Sequence, residues 1–144
     1  MAPDPNWKKA QERVKKAFKL YESTRKTFWF GEFPDTYQAG GHNFIQEQPS
    51  DMWALNNGEF ATIEIKSCEQ TRFPFKDIRP GQISGALRCI HAGGHSIFLI
   101  VKIPEWQWHF VDGQTILDAR KNGDKSMGWD QMTEIKLKAE VILP

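Results

Sequence analysis

The stretch Ala61-Thr62-Ile63-Glu64-Ile65-Lys66 is where this sequence could do chemistry. In an extended chain Ile63 and Ile65 point to one face, while Thr62, Glu64 and Lys66 share the other. Two opposite charges on one face of an interior strand are costly to bury unless something there uses them. Upstream, Asp51 opens an apolar run, Met52 to Leu55, and Asn56-Asn57-Gly58 is a tight-turn signal that lays this run beside Glu59–Ser67. Asp51 and Glu64 then converge near one end of a sheet. Two carboxylates held a few ångströms apart repel and favour a hard divalent cation, most often Mg²⁺. Such a cation polarises a phosphoryl oxygen, lowers the pKa of a bound water and offsets charge on a leaving oxygen, which are the needs of phosphodiester hydrolysis. The Lys66 ammonium can stabilise the attacking hydroxide or the phosphorane. Taken alone, an E-x-K on a strand reads first as a cross-strand ion pair of Asp51 or Glu64 with Lys66.

Several elements must position these groups. Residues 6–26 read as a helix, with Trp7, Ala10, Val14, Ala17, Phe18 and Tyr21 on one face and Asn6 as its cap behind Pro3 and Pro5. Thr27–Phe30 is β-branched and aromatic, a short strand. Residues 31–50 mix Gly, Pro and polar residues and read as an irregular excursion, with Pro34-Asp35 in a turn. The hairpin of Asp51–Leu55 and Glu59–Ser67 follows. After a polar and aromatic connection, Pro80–Ala92 is a helix with Ile83, Ala86, Leu87 and Ile90 on one face, stopped by Gly93-Gly94. Ser96–Ile103 is a nearly unbroken apolar run, the mark of a central strand covered on both sides. Glu105–Val111 and Glu134–Leu143 complete the strands. With no repeat and no linker, residues 1–144 form one α/β domain whose catalytic core spans residues 51–103.

Composition sets outer bounds. Apolar residues make up 40% and charged residues 26% of the chain, the profile of a folded domain and not a disordered one. No apolar run reaches the roughly 18–20 residues of a membrane span, and the N-terminus is basic and unlike a signal peptide. Cys68 and Cys89 are too few for a disulfide scaffold, so a reducing, cytoplasmic setting is expected. Net charge is +1, but residues 1–30 hold eight Lys or Arg against three acids, net +5, which leaves the remainder near −4. A basic end of this kind suits phosphate binding, and equally a solvated helix face.

Pro49-Ser50-Asp51, the Gly58 turn and Glu64-Ile65-Lys66, with a thirteen-residue step from Asp51 to Glu64, resemble the PD-(D/E)xK nuclease superfamily, and within it the RecU-type and archaeal Hjc-type Holliday-junction resolvases. Arg72-Phe73-Pro74-Phe75-Lys76, then Gln82-Ile83, Gly93-Gly94 and Phe98-Leu99-Ile100, resemble the RecU-type pattern in the same order. The likeness covers residues 49–103 and is looser outside them.

The resemblance implies a restriction-endonuclease-like fold, a central mixed sheet flanked by helices. It also implies a structure-selective endonuclease that resolves four-way DNA junctions, with Mg²⁺ as cofactor and Mn²⁺ as substitute. Asp51 and Glu64 would bind the metal with the carbonyl of Ile65, and Lys66 would be the catalytic lysine. Gln82 would face the site, against the plain alternative of a polar residue at a helix start. Related resolvases carry a metal-binding glutamate on the first helix; here Gln11 falls at that place and Glu12 one residue later, and the sequence leaves the two open. Lys8, Lys9, Arg13, Lys15, Lys16, Arg72 and Lys76 would contact DNA. Phe73 and Phe75 would lie near it, or in the core. A shortened stalk would occupy the excursion at 31–50. Since a four-way junction is two-fold symmetric, a homodimer is implied. Other nucleases of this superfamily, restriction-type or exonucleolytic, and a non-catalytic branched-DNA-binding protein are the alternatives. Cys68, Cys89, His91 and His95 match no familiar zinc spacing, and Trp106, Trp108 and Trp129 read as packing residues before base-stacking ones.

Overall fold

The computed structural model describes residues 5–34 and 48–137. The first helix, α1, spans Asn6–Thr24 and buries Ala10, Val14 and Phe18. Two expectations for it change. Trp7 is 52% exposed, because the sheet beneath α1 begins to cover it only one turn later. Asn6 is the first helical residue and not the cap: its Nδ2 donates to Glu69 Oε1 at 3.0 Å, tying the helix start to the chain beyond the E-x-K strand.

Strand β1, Phe28–Glu32, leads towards residues 35–47, so the shortened stalk and the Pro34-Asp35 turn fall largely outside the described residues. Strands β2, Met52–Asn56, and β3, Glu59–Cys68, form the expected hairpin, with Met52 opposite Ile63 and Asn56 opposite Glu59. Its two linking residues, Asn57 and Gly58, both have positive φ (51° and 87°), as the mirror-image turns that match strand twist require. A three-residue strand, β4 (Arg72–Pro74), and a 3₁₀ turn, Phe75–Asp77, precede helix α2, Pro80–His91. Strand β5, His95–Lys102, is parallel to β3, buried from Ser96 to Val101 and covered on both faces as expected. Strand β6 spans Gln107–Asp112.

Three further elements escaped the sequence reading. Helix α3, Gly113–Lys121, follows β6, capped by Asp112 Oδ1 accepting from Gln114 N at 2.8 Å. Strand β7, Ser126–Gly128, pairs with β4 in a separate two-stranded sheet. A second 3₁₀ turn, Trp129–Gln131, leads into β8, Thr133–Ile135, which is the described part of the strand expected at 134–143.

The main sheet has the order β1-β2-β3-β5-β6-β8, parallel only between β3 and β5. Helix α1 packs on one face over Ala61, Ile63, Ile65 and Leu99. On the other face α2 rests on β3 and β5, and α3 on β5 and β6, enclosing Phe98, Ile100, Val111 and Ile116. Fully buried Phe18, Ile63, Leu99 and Ile100 each contribute about 2 kcal/mol of transfer free energy. Phe73 and Phe75 belong to this second core, at 0% and 4% exposure, and are unable to meet DNA. The stripe that α2 buries is Gln82, Gly85 and Ala86, while Leu87 is exposed. Among the described residues no helix is long and apolar enough to cross a membrane.

Candidate active site

Strand β3 outruns its hairpin partner. Beyond the Met52–Ile63 pair the backbone N–H of Ile65 has no β2 residue to meet, and Asp51 supplies the acceptor from its side chain, Oδ2 at 2.8 Å. That bond fixes the Asp51 carboxyl at the end of β2. In an extended strand a residue's N–H and C=O leave by the same edge, so the Ile65 carbonyl opens on the Asp51 side too. The other Asp51 oxygen, Oδ1, accepts from Gln11 Nε2 at 3.0 Å. Glu12 is exposed. Helix α1 therefore brings Gln11 and not Glu12 to Asp51, as the helical angle requires: Gln11 borders the buried stripe and Glu12 lies a further 100° around.

Glu64 faces α2 and is 4% exposed. Its Oε1 accepts from Gln82 Nε2 at 2.7 Å and lies 3.6 Å from Lys66 Nζ. Its Oε2 is buried and, among the described residues, finds no donor. Gln82 stands both at the helix start and against Glu64 and Lys66. Its Oε1 accepts from the Arg79 backbone N at the helix start, 2.9 Å, and from Lys66 Nζ, 3.0 Å, while its amide nitrogen holds Glu64. A third contact of Lys66, to the carbonyl of Asp77 at 3.1 Å, anchors the ammonium against the 3₁₀ turn.

A contact not anticipated from the sequence brings α2 this close. A Cβ added to Gly85 would lie 2.6 Å from both the Cβ and the carbonyl oxygen of Pro49. The bare Gly85 backbone thus accepts the Pro49-Ser50-Asp51 segment against the helix. A glycine inside a helix costs roughly 1 kcal/mol relative to alanine, and that cost was the signal that something approaches there.

Burial above all, then the nearby Asp51 carboxylate, push the Glu64 carboxyl well above the ordinary carboxylate range, while Lys66 and Arg79 draw it down. The donor set suits a hard cation: two carboxylates, an orphaned buried Oε2, a backbone carbonyl on the same edge and an ammonium alongside.

The remaining candidates lie further out. Lys8, Lys9 and Lys16 are exposed on α1. Lys15 pairs with Glu32 at 3.2 Å, and the Arg13 guanidinium covers the Trp106 ring at 3.8 Å. Arg72 is engaged by Ser126 Oγ at 2.9 Å, and Lys76 is exposed on the 3₁₀ turn that anchors Lys66. Trp108 is buried, and Trp106 and Trp129 are half-buried against the two cores. Cys68 sits at one end of β3 and His95 pairs with Ala61 near the other, seven residues or roughly 23 Å away. Among the described residues no three His, Cys, Asp or Glu side chains converge.

No protein-family model and no curated protein sequence matches this chain. Its structure does match that of Hjc, a Holliday junction resolvase from the archaeal hyperthermophile Archaeoglobus fulgidus, with a TM-score of 0.55 and 17% identity. The match covers 90% of this chain and 98% of that one. The chain has the restriction-endonuclease-like α/β fold of the archaeal resolvase.

Proposed function

We propose that this protein is a Mg²⁺-dependent endonuclease that resolves four-way DNA junctions. The observation that carries the reading is the Asp51–Glu64 pair, opposed at the end of a hairpin with one buried oxygen lacking a donor and Lys66 at 3.6 Å. A resting ion pair needs one carboxylate per ammonium. Here a second acid is held in place by Ile65 N and Gln11, and burial makes its proximity costly.

Asp51, Glu64 and the Ile65 carbonyl would hold the metal, which when bound supplies Lewis-acid activation of phosphate and water. Lys66 is aimed by Gln82 and Asp77, and its ammonium orients the attacking water and stabilises negative charge on the phosphorane oxygens. Gln82 fixes the spacing of Glu64 from Lys66, since its single amide holds both. Lys8, Lys9 and Lys16 on α1, with Lys76 beside the site, would contact phosphates without reading bases. Specificity would come from junction shape, as the fold shared with a Holliday junction resolvase supports. Symmetric nicks need two sites, hence a homodimer.

The test offers four-way junction, plain duplex and single strands to wild-type protein and Asp51→Asn, with Mg²⁺ or chelator. Wild type should cut the junction with strong preference. The variant should lose at least a thousandfold in cleavage while still binding the junction. Equal cutting of duplex would replace the resolvase reading by another nuclease activity. No cutting of any DNA would leave only a binding protein.

A further inference from the structure

The neighbours of the four oxygens of Asp51 and Glu64 limit what the pair can hold. An ionised carboxylate oxygen has two lone-pair directions and donates nothing. Asp51 Oδ2 spends one direction on Ile65 N at 2.8 Å, and Oδ1 spends one on Gln11 Nε2 at 3.0 Å. Glu64 Oε1 accepts from Gln82 Nε2 at 2.7 Å and faces the Lys66 ammonium at 3.6 Å, so it is taken on both sides. Among the described residues only Glu64 Oε2 keeps both directions open.

We infer that the site takes one divalent cation and not two, and that Gln11 on one flank and Lys66 with Gln82 on the other close it to a second. The flanks are the first observation. Paired catalytic cations stand roughly 3.5–4 Å apart, close enough to need a carboxylate between them. A second ion on Asp51 Oδ1 would meet the N–H of the Gln11 amide. That amide must turn its nitrogen to Asp51, since an ionised carboxylate only accepts, and a donor repels a cation. On the Glu64 flank the Lys66 ammonium already stands 3.6 Å from Oε1, and Gln82 Oε1 holds it there at 3.0 Å. One opening is left, between Glu64 Oε2, Asp51 and the Ile65 carbonyl.

The second observation is the supply of acids. Among the described residues no three His, Cys, Asp or Glu side chains converge. Glu12 is exposed, Glu69 accepts from Asn6 Nδ2 at 3.0 Å, and Asp77 turns its backbone carbonyl to Lys66. Charge is the third. Two carboxylates and a phosphodiester balance Lys66 and one dication; a second dication leaves an excess of two positive charges beside a buried Glu64, and Arg79 nearby enlarges it. Uncompensated buried charge is costly. Gln11 separates the two cases, because its amide differs from a carboxylate by one donor and one charge. The count deepens the metal-dependent reading of the site and rests on it.

Calorimetric titration of the metal-free chain with Mn²⁺, read beside the electron paramagnetic resonance of the loaded protein, tests the count. Wild type should bind one Mn²⁺ per chain and give the spectrum of an isolated ion. Asp51→Asn, the control for unspecific binding, should bind about a hundredfold more weakly. Gln11→Glu should take a second Mn²⁺ per chain, about tenfold weaker than the first, and show an exchange-coupled pair. Below saturation, the single-turnover rate of wild type on junction DNA should rise about tenfold for each tenfold rise in Mg²⁺, as mass action for one ion requires. Two Mn²⁺ per wild-type chain, both lost in Asp51→Asn, overturn the inference and leave a metal-dependent site standing. A Gln11→Glu chain that still holds one ion overturns it too, since Gln11 then closes nothing. Wild type that binds no Mn²⁺ takes down the metal-dependent reading and this count together. If Gln11→Glu fails to fold, the wild-type count and spectrum still decide.

Discussion

Replacing Glu64 by glutamine should make the metal-free protein more stable while abolishing its activity. Glu64 Oε2 is unpartnered among the described residues, and burial and Asp51 push the carboxyl upward. In the unfolded chain Glu64 titrates near 4.3; in the folded chain it titrates higher. Between the two values the native state binds more protons than the unfolded one, so Glu64's contribution to stability falls as pH rises through its folded value and is flat below the unfolded one. A paired carboxylate behaves in the opposite way. Glutamine at 64 keeps the acceptor for Gln82 Nε2 and sets an amide nitrogen where Oε2 lacks a donor. Relieving one buried unsatisfied acceptor contributes about 1–3 kcal/mol. The Lys66–Glu64 ion pair is lost, but Lys66 retains Gln82 and Asp77, which limits that loss to about 1 kcal/mol. The net gain, up to about 2 kcal/mol, raises the Tm of a chain this size by up to roughly 8 °C. With 10 mM Mg²⁺ and millimolar affinity, wild type should recover about 1.4 kcal/mol through binding linkage, and the variant almost nothing. Thermal unfolding at pH 6 and pH 8, in chelator and in Mg²⁺, reads all of this. The gap in favour of Glu64→Gln should widen from pH 6 to pH 8 in chelator. A variant that melts below wild type in chelator at pH 8, or a gap that narrows with pH, refutes the account.

Further outcomes follow from the same geometry. Gln11→Glu would set a carboxylate in place of the amide that donates to Asp51 Oδ1; metal-free stability should fall by about 1 kcal/mol and Mn²⁺ affinity by calorimetry should rise about tenfold, so unchanged affinity would remove α1 from the metal's surroundings. Gly85→Ala drives a methyl into Pro49 and should cost about 1–3 kcal/mol by denaturant unfolding; a neutral result would mean that α2 does not need this close approach. Gln82→Ala deprives Arg79 N of its acceptor and Glu64 of its donor, which should lower kcat at least tenfold with junction affinity preserved. Changing Lys8, Lys9 and Lys16 together to Gln should lower the slope of log Kd against log salt by up to about three, measured by fluorescence anisotropy on junction DNA.

The elements that were legible in the sequence are those whose signal is local. Asn57-Gly58 demands positive φ at both positions and so declares a hairpin, and the run from Ser96 to Val101 declares a strand buried on both faces. Elements held by tertiary contacts left weaker marks. Helix α3 buries only Gly113 and Ile116, too few to show helical periodicity, although Asp112 as its cap was a usable sign. Strands β4 and β7 are three residues each, shorter than the alternation that identifies a strand, and Phe73 and Met127 are drawn inside by the second core. Leu87 and Trp7 misled the reading because hydrophobicity marks what a face may bury, while the neighbouring element decides which residues it does bury.

The candidate site divides along the same line, and its spacing has a mechanical origin. In a hairpin closed by two residues, each step back along one strand is matched by one step forward along the other. Asn56 opposes Glu59, Ala54 opposes Ala61 and Met52 opposes Ile63, so the next pair in register is Asp51 with Glu64. The thirteen-residue step from Asp51 to Glu64 is thus set by the Asn57-Gly58 turn, and the turn and the acids are one signal, not two. A change of one residue in the turn would shift the register and move Glu64 to the face away from Asp51. Lys66 follows two residues on, on the Glu64 face. Gln11 and Gln82 come from helices 40 residues before Asp51 and 18 after Glu64 in the chain, and no local spacing ties them to the hairpin. Their placement depends on how α1 and α2 pack on the two sides of the sheet, with the bare Gly85 against Pro49 holding α2 at the distance from which Gln82 reaches Glu64.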